Sequence, residues 1–144
     1  MNRNTYEKIL TKFLEENKDL ELYLIGTGNL LLQGIDVSPN DIDLIADMST
    51  VEKLSGKYKT KLIINEAGYI ETEILYDSSE IHIVSNNNNP LRPNNLKTNS
   101  KNINVNGLLV CGLSLESEKL AYQEMSRPKD IIKIELINKF LKNI

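Results

Sequence analysis

The chain has 144 residues, a formal net charge of −3, one histidine and one cysteine. That length suits a single domain with a real core, and no apolar run approaches the ~20 residues that span a bilayer. The lone Cys111 excludes an internal disulfide framework, and with a single His it excludes a zinc site of Cys and His ligands; it fits a reducing, cytoplasmic setting. No basic block stands out, so tight nonspecific nucleic-acid binding by the whole surface is not indicated. The first 19 residues are charged and amphipathic, unlike a secretory signal.

A first helix is expected from Thr5 to Asn17, where Tyr6, Ile9, Leu10, Phe13 and Leu14 share one face. Leu22 to Ile25 reads as a short buried strand. Gly26 and Gly28 then allow a tight turn, and Asn29 to Gln33 reads as a short helix stopped by Gly34 and Ser38-Pro39. A second strand follows, Asp41 to Ile45. Ser49 and Glu52 form a capping box for a helix ending near Leu54. Strands are expected at Lys61–Asn65, Tyr69–Tyr76 and Glu80–Ser85, the last two joined by a turn at Asp77-Ser78-Ser79.

The Asn-rich stretch Asn86 to Asn102 reads as a long surface loop. Asn106-Gly107 signals a two-residue hairpin. Ser114 caps a helix to about Met125, and Pro128 opens a final helix with Ile131, Ile134, Ile137 and Leu141 inward. The order predicts an α+β fold: a mixed sheet with helices packed on one side, and not a doubly wound fold, because the later strands pair as hairpins.

Asp41 and Asp43 stand at i and i+2 of a strand, so both point to one face. Two carboxylates beside a glycine turn suit Mg²⁺, which takes oxygen ligands and substrate phosphates. In such a site phosphoryl or nucleotidyl transfer needs little beyond positioning and charge neutralisation. A D-x-D alone is a common surface pattern; the G-x-G turn upstream, between strand and helix, gives it weight.

The succession of strand, Gly26-Thr27-Gly28, helix, Gln33-Gly34-Ile35 and Asp41-Ile42-Asp43-Leu44 resembles the nucleotidyltransferase superfamily, of polymerase β-like fold. It is most similar to small bacterial and archaeal members, related to antibiotic nucleotidyltransferases and to nucleotidyltransferase-like toxin–antitoxin components. Arg127-Pro128-Lys129-Asp130 adds weaker support, and the likeness runs from Leu22 to Leu136.

The resemblance implies one domain over residues 1–144, with the helices of residues 114–144 packed on it. It implies nucleotide contacts at Gly26, Thr27 and Gly28, metal ligands at Asp41 and Asp43, a nucleoside triphosphate donor, and Mg²⁺ or Mn²⁺. Thr27 stands where the family has Gly or Ser. Arg127 and Lys129 reach phosphates in this reading; in the alternative, Asp130 serves the helix start and Arg127 pairs with a neighbour.

The family's third acid is missing from its slot, which holds His82. His82 is a base for an acceptor hydroxyl, a metal ligand, or an ordinary half-buried strand residue. Glu80 substitutes if the register differs; Glu73 and Glu71 are weaker candidates. Gln33 faces the nucleotide or merely ends its helix. The Asn86–Asn102 stretch, with Arg92, Lys97 and Lys101, covers an acceptor or merely connects. Two functions follow: an Mg²⁺-dependent nucleotidyltransferase acting on an acceptor hydroxyl, its cleft completed by a protein partner or a second copy; or a catalytically degenerate binding module, for example a toxin–antitoxin partner.

Overall fold

The computed structural model describes residues 1–143. It contains seven strands in one mixed sheet and five α-helices. In chain order the elements are α1 (Arg3–Glu16), β1 (Tyr23–Ile25), α2 (Gly26–Leu32), β2 (Ile42–Ala46), α3 (Met48–Tyr58), β3 (Ile63–Ile64), β4 (Ile70–Tyr76) and β5 (Ser79–Ser85). A short 3₁₀ turn (Lys97–Asn99) precedes β6 (Ser100–Val105), β7 (Leu108–Leu113), α4 (Leu115–Met125) and α5 (Pro128–Lys142). The sheet order is β3-β4-β5-β2-β1-β7-β6. Strand β2 runs antiparallel to β1 and parallel to β5, while β1 runs parallel to β7. The α+β reading therefore holds, and the later strands do pair as hairpins. The β4–β5 and β6–β7 turns use positive φ at two successive residues, Asp77-Ser78 and Asn106-Gly107, matching the twist of the flanking strands.

One sheet face is apolar and dry. Leu24, Ile42, Leu44, Ile74, Ile81 and Ile83 pack there against the Tyr6–Ile9–Leu10–Phe13 stripe of α1 and against Val51 and Leu54 of α3. Helices α2, α4 and α5 form a separate apolar cluster through Leu30, Ile35, Leu115, Tyr122 and Ile137. Alternate residues of β2 and β5 point to the opposite face. That face carries Asp43 and His82.

Several boundaries differ from expectation for local reasons. Helix α2 begins at Gly26 rather than Asn29, so the glycine segment is its first turn. Helix α3 is capped by Asp47, whose carboxylate accepts from the Thr50 amide at 2.8 Å, and not by Ser49. It runs to Tyr58, past Leu54, because Lys59 in the left-handed region ends it. Strand β6 begins at Ser100, inside the expected loop, because pairing with β7 extends through Ser100↔Leu113. Ile131 is 53% exposed rather than inward; Ile137 is the buried apolar residue of α5. Among the described residues, no helix is long and apolar enough to cross a membrane.

The Asp47 cap gives the first test. Asp47→Ala should cost about 1 kcal/mol in urea unfolding at neutral pH, and Ser49→Ala under about 0.5 kcal/mol. Hydrogen bonds from Thr50, the backbone amide first, lower the Asp47 pKa. A carboxylate lowered on folding stabilises above its unfolded value and loses that contribution as pH falls through the folded one. The Asp47→Ala penalty should therefore fade as pH drops below about 3.9.

Candidate active site

The site is built across four neighbouring strands, β4, β5, β2 and β1. Register places Ile25 opposite Asp43, Asp43 beside His82, and His82 opposite Glu73. Asp41, two residues before Asp43, lies at the β2 entry on the same side. The His82 Nδ1 stands 3.4 Å from Asp43 Oδ1 and 4.0 Å from Asp41 Oδ2. On the other side of the ring, Nε2 lies 3.4 Å from Glu80 Oε2 without a hydrogen bond. Asp41, Asp43 and His82 each offer a donor atom within 4.8 Å of the others. Among the described residues, no Lys or Arg forms an ion pair with Asp41 or Asp43.

Burial and the neighbouring Asp41 push the Asp43 carboxyl up to about 7, although His82 opposes this. Burial alone lowers the His82 pKa, but Asp43, Asp41, Glu73 and Glu80 outweigh it and the net shift is upward. A like charge close by disfavours the ionised form of a buried carboxylate such as Asp43. Their oxygens and the imidazole nitrogen fit a divalent ion.

These groups open into a cleft of about 770 Å³ between the sheet and α5. Gly26 and Thr27 line it on one side; Arg127, Lys129 and Lys133 line it on the other. Gly26 has φ +76°, and a Cβ there would stand 3.0 Å from Asp43 Oδ2, so only glycine brings the backbone this near the carboxylate. Gly28 is placed differently. It is buried away from the cleft, and a Cβ there would overlap the Tyr6 ring. Its role is to let α1 and α2 meet.

The Gly26 amide does not face the cleft as a free donor. It donates to Glu118 Oε2 at 2.8 Å. Glu118 is fully buried on α4; the same oxygen accepts from Asn29 Nδ2 at 2.7 Å, and Oε1 accepts from Arg92 Nη1 at 2.6 Å. Sequence reasoning missed Glu118 and Asn29 because the contacts that bury them are long-range: Glu118 accepts from Gly26 and Asn29, 92 and 89 residues away, and Asn29 donates to Leu113, 84 residues away. Arg92 itself lines the cleft, but Lys97 and Lys101 do not. Gln33 is also turned away: its Nε2 donates to Asn29 Oδ1 and to the Leu113 carbonyl, each at 2.8 Å.

Arg127 is bound by its own helix. Its Nε and Nη2 donate to the two Asp130 oxygens at 2.7 and 2.9 Å, while Asp130 accepts from the Arg127 amide at 3.0 Å. The structure thus shows the pairing alternative raised for this segment, with Asp130 at the helix start holding Arg127, and Arg127 also borders the cleft. Lys129 also borders the cleft, and Lys133, one turn later, was not singled out from sequence. Its Nζ lies over the Tyr122 ring, 5.1 Å from the centroid. Burial lowers its pKa, with help from Lys129 and Arg127 and against the pull of Asp130. The i,i+4 spacing of Lys129 and Lys133 was the available signal.

No protein-family model matches the sequence, and no curated protein matches it. Solved structures do match. A candidate nucleotidyltransferase from Thermotoga maritima superposes with a TM-score of 0.74 at 21% identity, covering 100% of this chain and 97% of that one. A lincosamide antibiotic adenylyltransferase, solved with lincomycin bound, gives 0.63 at 16% identity, with coverage of 92% and 95%. The antibiotic-resistance factor ANT(2″)-Ia gives 0.65 at 15% identity, with coverage of 97% and 86%. The chain has the nucleotidyltransferase fold.

The Glu118 cluster can be tested apart from any activity. Glu118→Gln leaves Arg92 buried without its counter-charge, and should destabilise the protein by about 3–5 kcal/mol in chemical denaturation. Tyr6→Phe removes a buried hydroxyl that has no partner and should cost under about 0.5 kcal/mol.

Proposed function

We propose that the protein is a divalent-metal-dependent nucleotidyltransferase, moving a nucleoside monophosphate from a nucleoside triphosphate to an acceptor hydroxyl with release of pyrophosphate. One observation carries this reading: the Asp41–Asp43 pair and the α5 cations Lys129 and Lys133 line a single cleft. The fold shared with an antibiotic adenylyltransferase supports it.

Asp41 and Asp43 would hold the metal, which when bound neutralises phosphate charge and orients the attacking oxygen. The chain's own groups do the rest. Gly26, held by Glu118, keeps the backbone close against Asp43 so that the phosphate chain can approach the carboxylates. The Thr27 hydroxyl is at hand for a phosphate oxygen. Lys129 and Lys133 offset the charge of the departing pyrophosphate, and Arg127, paired with Asp130, lines the same wall. Tyr69, half-buried, also lines the cleft and offers a ring to a base or an acceptor.

A degenerate binding module is the second reading, favoured by His82 in the third acid's slot. Labelled nucleoside triphosphates, Mg²⁺ or Mn²⁺, and cell lysate separate the two. Transfer of label that falls by at least ~100-fold in Asp41→Asn/Asp43→Asn supports the enzyme. Nucleotide binding with no transfer by the wild type supports the module, and absence of metal-dependent nucleotide affinity defeats both. Lys133→Met should raise the KM for the triphosphate about tenfold while leaving the fold intact.

A further inference from the structure

We infer that Asp41, Asp43 and His82 form a mixed oxygen–nitrogen metal site that prefers a first-row transition dication, from Mn²⁺ to Zn²⁺, over Mg²⁺. The inference deepens the proposed reading by naming the ion, and it is tested without nucleotide.

Donor chemistry is the first argument. Mg²⁺ demands oxygen ligands in near-ideal octahedral geometry and gives up water reluctantly. Imidazole suits the later first-row metals, and a site that spends one position on nitrogen disfavours Mg²⁺. Geometry is the second. Ligand atoms about 2.1 Å from one ion stand about 3.0–3.4 Å apart at octahedral to tetrahedral angles. The 3.4 Å between His82 Nδ1 and Asp43 Oδ1 already lies in that range, and the 4.0 Å to Asp41 Oδ2 closes with a small side-chain rotation.

The far side of the ring supplies the third argument. Metal-bound histidines nearly always present their other nitrogen to a carboxylate or carbonyl that fixes the ring and its tautomer. Glu80 is placed for that role: its Oε2 lies 3.4 Å from Nε2, with Glu73 close behind. A histidine that only closed an ion pair with Asp43 would need no second carboxylate behind it. Ion-pair competition is absent too, since among the described residues no Lys or Arg pairs with either aspartate.

His82 is the chain's one histidine, so its imidazole nitrogen resonances report ligation directly. Metal-free full-length protein is titrated with zinc, manganese and magnesium chlorides, with affinities read by calorimetry. Zinc should move the Nδ1 resonance while Nε2 keeps its proton, and this shift should vanish in Asp43→Asn. Manganese and zinc should bind at least ~10-fold tighter than magnesium, and His82→Asp should erase or reverse that ratio. An unmoved Nδ1 under saturating zinc, a shift that survives Asp43→Asn, or equal affinity for magnesium and manganese in the wild type overturns the inference. The wild-type spectra decide alone if His82→Asp fails to fold. Failure of label transfer leaves these outcomes untouched, and failure of the metal preference leaves Mg²⁺-supported transfer standing.

Discussion

The buried carboxylate of Glu118 is the contact on which the cleft depends. A fully desolvated carboxylate is costly unless every lone pair is used. Here one oxygen takes the Gly26 amide and the Asn29 side chain, and the other takes Arg92. These donors come from the first turn of α2 and from the segment after β5, while the acceptor sits on α4. Three distant stretches are therefore fixed by one charge, and loosening any of them leaves a buried ion without its partner. The arrangement also decides what Gly26 does. Its amide is spent on Glu118, so its value to the cleft is the absence of a side chain beside Asp43, not a free N–H.

This contact also explains the limits of what could be read from the sequence. The strand–glycine–helix–D-x-D succession was legible because all its parts are local: periodicity, turn residues and the i, i+2 rule place Asp41 and Asp43 on one face without knowledge of the fold. His82 was legible as an anomaly in a strand slot, and parallel pairing of β2 with β5 brings it beside Asp43. Glu118 looked like one more charge on an amphipathic helix, since nothing nearby shows that α4 turns it inward. The same holds for Asn29, which reads as a helix-opening residue yet is fully buried between α2, β7 and α4.

Local errors have a similar origin. Ser49 with Glu52 satisfies the capping pattern, but Asp47 stands two residues earlier and its carboxylate reaches the Thr50 amide first. Pattern alone cannot rank two adequate caps; the chain direction leaving β2 does. Likewise Gly28 and Gly26 look equivalent in sequence. One touches the cleft and the other makes room for Tyr6, a distinction set by the packing of α1 across the sheet.

Charge balance ties the two halves of the site together. Asp41 and Asp43 carry two negative charges when ionised, and a neutral imidazole at His82 adds none, so a single dication matches the set. A third carboxylate in that slot would have called for more positive charge at the sheet. In the proposed reaction the remaining charge of a triphosphate has to be met from elsewhere, and the opposite wall supplies it through Lys129 and Lys133 on one face of α5. Lys133 is half-buried against Tyr122, where its charge is less screened by water than on an open surface. Asp130 lies on the same helix, but its charge is largely balanced by Arg127, which holds both of its oxygens. The pairing that caps α5 thus also keeps the cleft wall positive, and the substitution at the sheet and the cations on the helix belong to one electrostatic design.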